Sequence, residues 1–261
     1  MAGMNGQHQP APMAPLAAVV DQLGSAGRGF EQFGQLDGAT FEDNSTIVIC
    51  PTRGMIPDQV AHRWLTLIAP MNQKRGWLFA KGHEVGRAYD AMITQILADP
   101  HLKGFKYILT LEDDNLPPPD AHMRLLESIR LGPGAGFDAV SGIYFTKGQF
   151  NMPMAYGDPE EFRRTGALDF RPLDVRRALE LGRVVPVNGI AMGCALWRLD
   201  LFRAVPPPWF VTVADVIPER GTQVMTQDLY FCRQARERGK TFAVDCRVRV
   251  GHLDVNTGEI Y

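Results

Sequence analysis

Three consecutive acids, Glu112, Asp113 and Asp114, follow directly on an apolar run at 107–111 and precede Asn115, Leu116 and prolines at 117–119. The run (Tyr, Ile, Leu, Thr, Leu) has the β-forming, mostly apolar character of a buried strand, and the prolines force the chain to turn. The acids therefore fall at the carboxyl end of a strand, where open α/β sheets bind their ligands. Adjacent carboxylates repel one another unless a proton or a cation relieves them. An oxygen-rich cluster of this kind suits Mg²⁺ or Mn²⁺, hard ions that bridge protein carboxylates and substrate phosphates. The pattern points to metal-dependent chemistry on a phosphorylated substrate. The bland alternative is a solvated turn whose acids cap the next helix.

The elements that must position these acids alternate along the chain. Strand patterns are read at 46–50, 76–80, 107–111 and 137–145, with helices at 60–67, 85–98 and 120–129 between or after them. That rhythm argues for a mainly parallel sheet with helices on its faces. It breaks between 146 and 184, a stretch with glycines, prolines and a helix near 173–181, which reads as a substrate-facing insertion. Regular structure resumes with strands at 184–187 and 191–197, a helix at 227–238 and a last strand at 241–250.

At 261 residues the chain can bury a full core. A hydrophobic content of 45% with 21% charged residues is that of a soluble globular protein, and a net charge of -2 gives no pull toward nucleic acid or anionic membrane. Cys50, Cys194, Cys232 and Cys246 are widely spaced and form no CxxC pair, which favours buried thiols in a cytoplasmic protein over a zinc site. No stretch is long and apolar enough to be a transmembrane segment, and 13–20 makes a poor signal peptide. Residues 1–44 read as a tail, partly disordered or holding a short amphipathic helix through Leu16, Val19, Val20 and Leu23.

Five segments in order resemble the GT-A nucleotide-sugar glycosyltransferases, especially their family-2-like branch. They are Pro51, Thr52, Arg53 and Gly54 after the first strand; Gly86, Arg87, Ala88, Tyr89 and Asp90 at a helix start; Leu111 to Asp114; the run 189–198 with Gly189 and Gly193; and Gln227, Asp228, Leu229, Tyr230 and Phe231, leading to Gly251 and His252. The ordered set is much more specific than any member. The resemblance implies an α/β fold of GT-A type, Rossmann-like, with a mixed, mainly parallel sheet flanked by helices. It covers a single domain over 45–261, with an acceptor-side insertion at about 146–184. It implies a hexosyltransferase-like enzyme using Mn²⁺ or Mg²⁺ to transfer a sugar from a nucleoside-diphosphate sugar to an acceptor hydroxyl, with inversion. The acceptor would be a saccharide, a lipid-linked molecule or a protein.

The same resemblance implies roles. In the family's D-x-D motif the last aspartate holds the metal, so Asp114 takes that place and Glu112 stands for the first aspartate. A register from Asp113 to Asn115 is also open, ending on a neutral ligand. His252 is a further metal ligand by this reading, or a hydrogen-bonded structural histidine. Asp228 stands where the catalytic base does, with Gln227 in place of the family's glutamate; alternatively it serves the helix dipole near Thr226. Thr52 and Arg53 would lie at the nucleoside and Arg87 at the diphosphate. Asp90 stands at a nucleotide-contacting position, and Asp113 joins the donor site. Gly189 and Gly193 either admit a sugar close to the backbone or relieve crowding. Trp209 and Phe210 either line the acceptor side or anchor a loop in the core.

Two rival functions remain. A nucleotidyltransferase that makes the activated sugar would carry a glycine-rich loop after the first strand, and Pro51–Gly54 has a single glycine. A catalytically silent sugar- or nucleotide-binding module of the same fold would account for Glu112 and Gln227.

Overall fold

Apolar runs of five to eight residues, separated by helices with one apolar face, leave few ways to bury both faces of a sheet. The computed structural model describes residues 42–217 and 221–261, so the tail reading for 1–41, including its amphipathic stretch, lies outside the described residues. In chain order, the first half comprises β1 (Thr46–Thr52), α1 (Asp58–Leu65), β2 (Arg75–Lys81), α2 (Val85–Ala98), β3 (Tyr107–Leu111), β4 (Asn115–Leu116), α3 (Ala121–Ser128) and β5 (Ala139–Ile143). Then come β6 (Ala155–Tyr156), α4 (Pro159–Thr165), α5 (Arg176–Leu181), β7 (Val184–Val187), β8 (Gly189–Ile190), β9 (Cys194–Arg198) and α6 (Leu199–Ala204). The chain finishes with β10 (Val213–Ile217), β11 (Gly221–Met225), α7 (Gln227–Arg236), β12 (Phe242–Arg249) and β13 (Gly251–His252).

Seven strands form the main sheet in the order β2-β1-β3-β9-β5-β12-β7. β1 lies parallel to β2 and β3, and β12 parallel to β5. β9 runs antiparallel to both β3 and β5, and β7 antiparallel to β12. The sheet is thus mixed and mainly parallel, flanked by helices in one α/β domain of GT-A-like type, the class expected from the sequence. The expected strand at 191–197 starts later, at Cys194, and is one of the two that run against the rest.

Alternation along each strand sends neighbours to opposite faces, and both faces are covered, which is why the strands read as nearly continuous apolar runs. Ile47, Ile49, Ile108 and Trp197 belong to one core; Val48, Leu109, Leu111 and Leu196 belong to the other. Trp197 is fully buried among Phe202, Phe231 and Phe242, and its indole donates to Thr110 Oγ1 at 3.1 Å. Through Phe231 this cluster fixes α7, and with it the helix start that carries Asp228.

Not expected were the helices α4 and α6, too short to show a period, the β10–β11 hairpin and the two-residue strands β4, β6, β8 and β13. The prolines at 117–119 do turn the chain toward α3, but Asn115 and Leu116 first pair as β4 with β13. That pairing builds the site.

Candidate functional site

β12 leaves its register with β5 between Asp245 and Arg249, a local irregularity that re-aims the chain. Gly142 makes the crossing possible, because a Cβ there would lie 2.7 Å from Val250 Cγ2. The redirected chain pairs antiparallel with β4, Gly251 opposite Leu116 and His252 opposite Asn115, and Leu253 N donates to Asp114 O at 2.8 Å. Two segments about 140 positions apart are thereby clamped together, and His252 Nε2 comes to 3.7 Å from Asp114 Oδ2.

The three acids point to three different partners. Glu112 Oε1 accepts from the buried Tyr89 hydroxyl at 3.0 Å. Burial first, then the negative field of Asp114, raise its pKa to about 8, and Asp228 adds to that field. Asp113 accepts from Thr52 Oγ1 at 3.1 Å, from the Arg53 amide at 3.2 Å and from Arg53 Nη2 at 3.4 Å, stapling the loop after β1 to the acid strand. Asp114 faces His252 and Lys147, whose Nζ lies 2.5 Å from its Oδ2. Burial works against the Asp114 carboxylate, but the His252 ring and the Lys147 ammonium beside it outweigh that and hold its pKa below the ordinary value. Asn115 turns the other way, against Gly193 and Tyr144, which leaves the register ending at Asn115 without support.

Whether these residues fit a divalent cation is decided by one ring nitrogen and one orphaned carboxylate oxygen. His252 Nδ1 sits 2.7 Å from the Phe145 carbonyl, which can only accept, so Nδ1 carries the proton. In the neutral ring the Nε2 lone pair then faces a carboxylate oxygen, an arrangement that calls for a cation between them. Asp114 Oδ1 is buried with no hydrogen-bond partner. The pair therefore fits, with the limit that among the described residues no group of three or more His, Cys, Asp and Glu side chains could hold a metal. Two protein ligands suffice for Mg²⁺-like ions when substrate phosphates and water complete the shell.

The cleft beside the acids has a volume of about 340 Å³ and is lined by Thr52, Arg53, His83, Asp113, Asp114 and Gln227, with Glu112 in its wall. Next to Gln227, Asp228 is almost fully buried in the first turn of α7. Its Oδ1 accepts from the Thr226 hydroxyl and from Leu229 N, the latter at 2.9 Å. Burial raises its pKa while these donors oppose the rise. Thr226 makes no side-chain cap to the helix; its hydroxyl serves Asp228 instead. A second cavity, about 820 Å³, opens on the other side of α7 between Phe170, Arg171, Leu229, Tyr230 and Arg233. The stretch 168–172 of the insertion thus faces the helix that carries Asp228.

Other expected positions lie away from the cleft or are filled by the protein itself. Asp90 does not turn to the cleft: its Oδ1 accepts from the amides of Trp209 and Phe210, each at 3.2 Å. Trp209 and Phe210 are themselves buried at 4% exposure, so they are core anchors and not an acceptor wall. Arg87 is exposed at the start of α2 and does not line the cleft; its amide is capped by Glu84. The room left by Gly193 is occupied by the protein itself, since a Cβ would lie 2.0 Å from Asn115 Oδ1 and 2.6 Å from the Tyr144 hydroxyl. Lys147, Tyr89, Tyr144 and His83 went unassigned from sequence. Tyr89 lay within one of the five resembling segments, and Tyr144, whose ring packs edge-on to His252 at 5.4 Å, lay inside the strand expected at 137–145. Nothing local marked Lys147 or His83.

No protein-family model and no curated protein matches the chain. Among solved structures, A197 from STIV is similar at a TM-score of 0.55 and 13% identity, over 83% of this chain and 92% of that one, which shows a shared fold. A crystal structure of GalNAc-T7 with UDP, GalNAc and Mn²⁺ overlays at a TM-score of 0.47 and 8% identity, over 80% of this chain and 44% of that one. Among the described residues no helix is long and apolar enough to cross a membrane.

Proposed function

We propose that the protein is a family-2-like glycosyltransferase that moves a sugar from a nucleoside-diphosphate donor to an acceptor hydroxyl, with inversion and with a divalent cation, Mn²⁺ or Mg²⁺, at Asp114 and His252. The observation that carries this reading is the β4–β13 pairing, which sets an imidazole prepared for a cation beside an orphaned carboxylate oxygen at the edge of a cleft. A cation bound there supplies positive charge against the departing diphosphate. Thr52 and Arg53, held by Asp113, form the donor side of the cleft. Asp228 takes the proton of the acceptor hydroxyl as its oxygen bonds to the anomeric carbon. The bond from that carbon to the phosphate oxygen breaks, and its electron pair leaves with the diphosphate. The acceptor enters from the side of the larger cavity, between the insertion and α7. Four buried, unpaired cysteines support a cytoplasmic setting.

The test is a panel of nucleotide sugars screened by thermal shift with and without Mn²⁺, followed by an assay for released nucleoside diphosphate. A cation-dependent shift with one donor and turnover to the free diphosphate is expected. Full turnover in EDTA overturns the cation assignment, and release of pyrophosphate from a nucleoside triphosphate points to a nucleotidyltransferase. One observation favours the silent binding module: Glu112, in the cleft wall, has one carboxylate oxygen tied to Tyr89. That module would bind a nucleotide sugar with Mn²⁺ in calorimetry and turn nothing over.

A further inference from the structure

Asp114 already holds a cation belonging to the chain. Lys147 Nζ lies 2.5 Å from Asp114 Oδ2, with the lysine 29% and the aspartate 18% exposed, so the pair is partly withdrawn from solvent, and its aspartate lines the cleft. The lysine is presented by a built turn. Thr146 N donates to Met152 O at 2.9 Å, and Thr146 Oγ1 accepts from Met152 N, also at 2.9 Å. Gly148 takes a left-handed φ of +95°, and its amide donates to the Tyr261 hydroxyl. The residue two before Lys147, Phe145, supplies the carbonyl that orients His252. Lysine and imidazole thus converge on one carboxylate from the same short segment.

A divalent cation between Asp114 and His252 and an ammonium on the same carboxylate repel each other at contact distance. They cannot both stay. The lysine has a flexible four-carbon stem and a point charge with three donors, and the ligand that accompanies the cation is a diphosphate. We infer that Lys147 is a donor-phosphate ligand kept on Asp114 while the site is empty. Entry of the cation displaces it, and the diphosphate receives it. Cation and diphosphate then bind with strong positive coupling, because each removes an obstacle to the other: the cation frees the lysine, and the diphosphate gives the freed ammonium a partner. The inference rests on the donor and cation reading above and adds to it the residue that links the two ligands.

The experiment measures Mn²⁺ binding and pyrophosphate binding by calorimetry on the full chain, wild type against Lys147→Met, each ligand alone and in the presence of the other. Pyrophosphate serves because it needs no knowledge of the nucleoside. With Lys147 gone, Mn²⁺ alone should bind up to about fivefold more tightly, since Asp114 is no longer occupied. Pyrophosphate in the presence of Mn²⁺ should bind about tenfold more weakly, for want of one charge-assisted contact. Changes of opposite sign are something a merely structural lysine would not produce. Lys147→Arg, which keeps the charge, should move both affinities back toward wild type. Equal Mn²⁺ and pyrophosphate affinities in wild type and Lys147→Met overturn the Lys147 role and leave the glycosyltransferase reading standing. Wild-type protein that binds neither Mn²⁺ nor pyrophosphate overturns both.

Discussion

His252 and Asp114 meet because two strands of two residues each, β4 and β13, pair antiparallel and bring Nε2 to 3.7 Å from Oδ2. The imidazole is aimed by its Nδ1 proton, given to the Phe145 carbonyl at 2.7 Å. Outer partners of this type typically govern metal affinity by 10–100-fold, and loss of the ring itself should cost at least as much. His252→Ala is therefore expected to weaken Mn²⁺ binding in the presence of pyrophosphate by about 100-fold. Some stability without ligand should be lost as well, because the ring packs on buried Tyr144 and donates to the Phe145 carbonyl, so the affinity is compared on protein shown to be folded. Mn²⁺ affinity unchanged in His252→Ala would remove the histidine from the cation site.

Gly193 carries a second prediction, this one about stability. Its amide donates to the Tyr144 hydroxyl at 2.8 Å and its carbonyl accepts from Glu112 N at 3.0 Å, so the acid strand, Tyr144 and the start of β9 meet at one point. A Cβ here would overlap both Asn115 Oδ1 and the Tyr144 hydroxyl. Both of those side chains are fully buried, which leaves them little room to shift. Gly193→Ala should cost about 3 kcal/mol in urea unfolding, the upper end of the usual overpacking cost. A loss below about 1 kcal/mol would show that Asn115 can move aside.

Much of the framework was legible because it is periodic. Helix α2 spans Val85–Ala98, as its apolar spacing predicts, and β3 and β7 also lie where their patterns put them. The reversed direction of β9 was not legible, because alternation along a strand is the same read either way. Asp90 shows the matching limit for the site. Its partners, the amides of Trp209 and Phe210, are some 120 positions away, and nothing near Asp90 announces them. The acids were legible as a cluster, but not that each would take a separate partner. That division depends on Tyr89, Thr52 and Lys147, three residues from three different elements. Lys147 stood in the insertion, where the strand–helix rhythm gives no register from which to place a side chain.

His122 should make stability depend on pH. It is buried in α3 with Nε2 3.1 Å from Thr46 Oγ1 and Nδ1 unpartnered. Burial, helped by the charge of Arg75, lowers its pKa from 6.5 to about 4. Between those values the unfolded chain binds a proton that the folded one refuses. The contribution is therefore complete above pH 6.5, shrinks as pH falls, and is lost by about pH 4. Its size is about 3 kcal/mol. Urea unfolding at pH 4.5 and pH 7 should show a larger difference for the wild type than for His122→Gln. Equal differences in the two proteins would assign the acid sensitivity elsewhere.

Asp228 offers the sharpest kinetic prediction, because its surroundings pull in opposite directions. Burial favours the protonated acid, whereas the Thr226 hydroxyl and the Leu229 amide stabilise the carboxylate, and the net pKa is raised. A base acts only when deprotonated, so turnover should fall on the acid side of a pKa above the ordinary carboxylate value. Thr226→Val removes one of the opposing donors while leaving the side-chain volume almost unchanged. Its acid limb should move to higher pH, with the rate on the plateau less affected. Asp228→Asn should lower kcat by roughly 10²–10⁴-fold, abolish that limb, and leave donor binding intact. An acid limb that stays in place in Thr226→Val, together with transfer at the wild-type rate in Asp228→Asn, would mean that another group takes the proton.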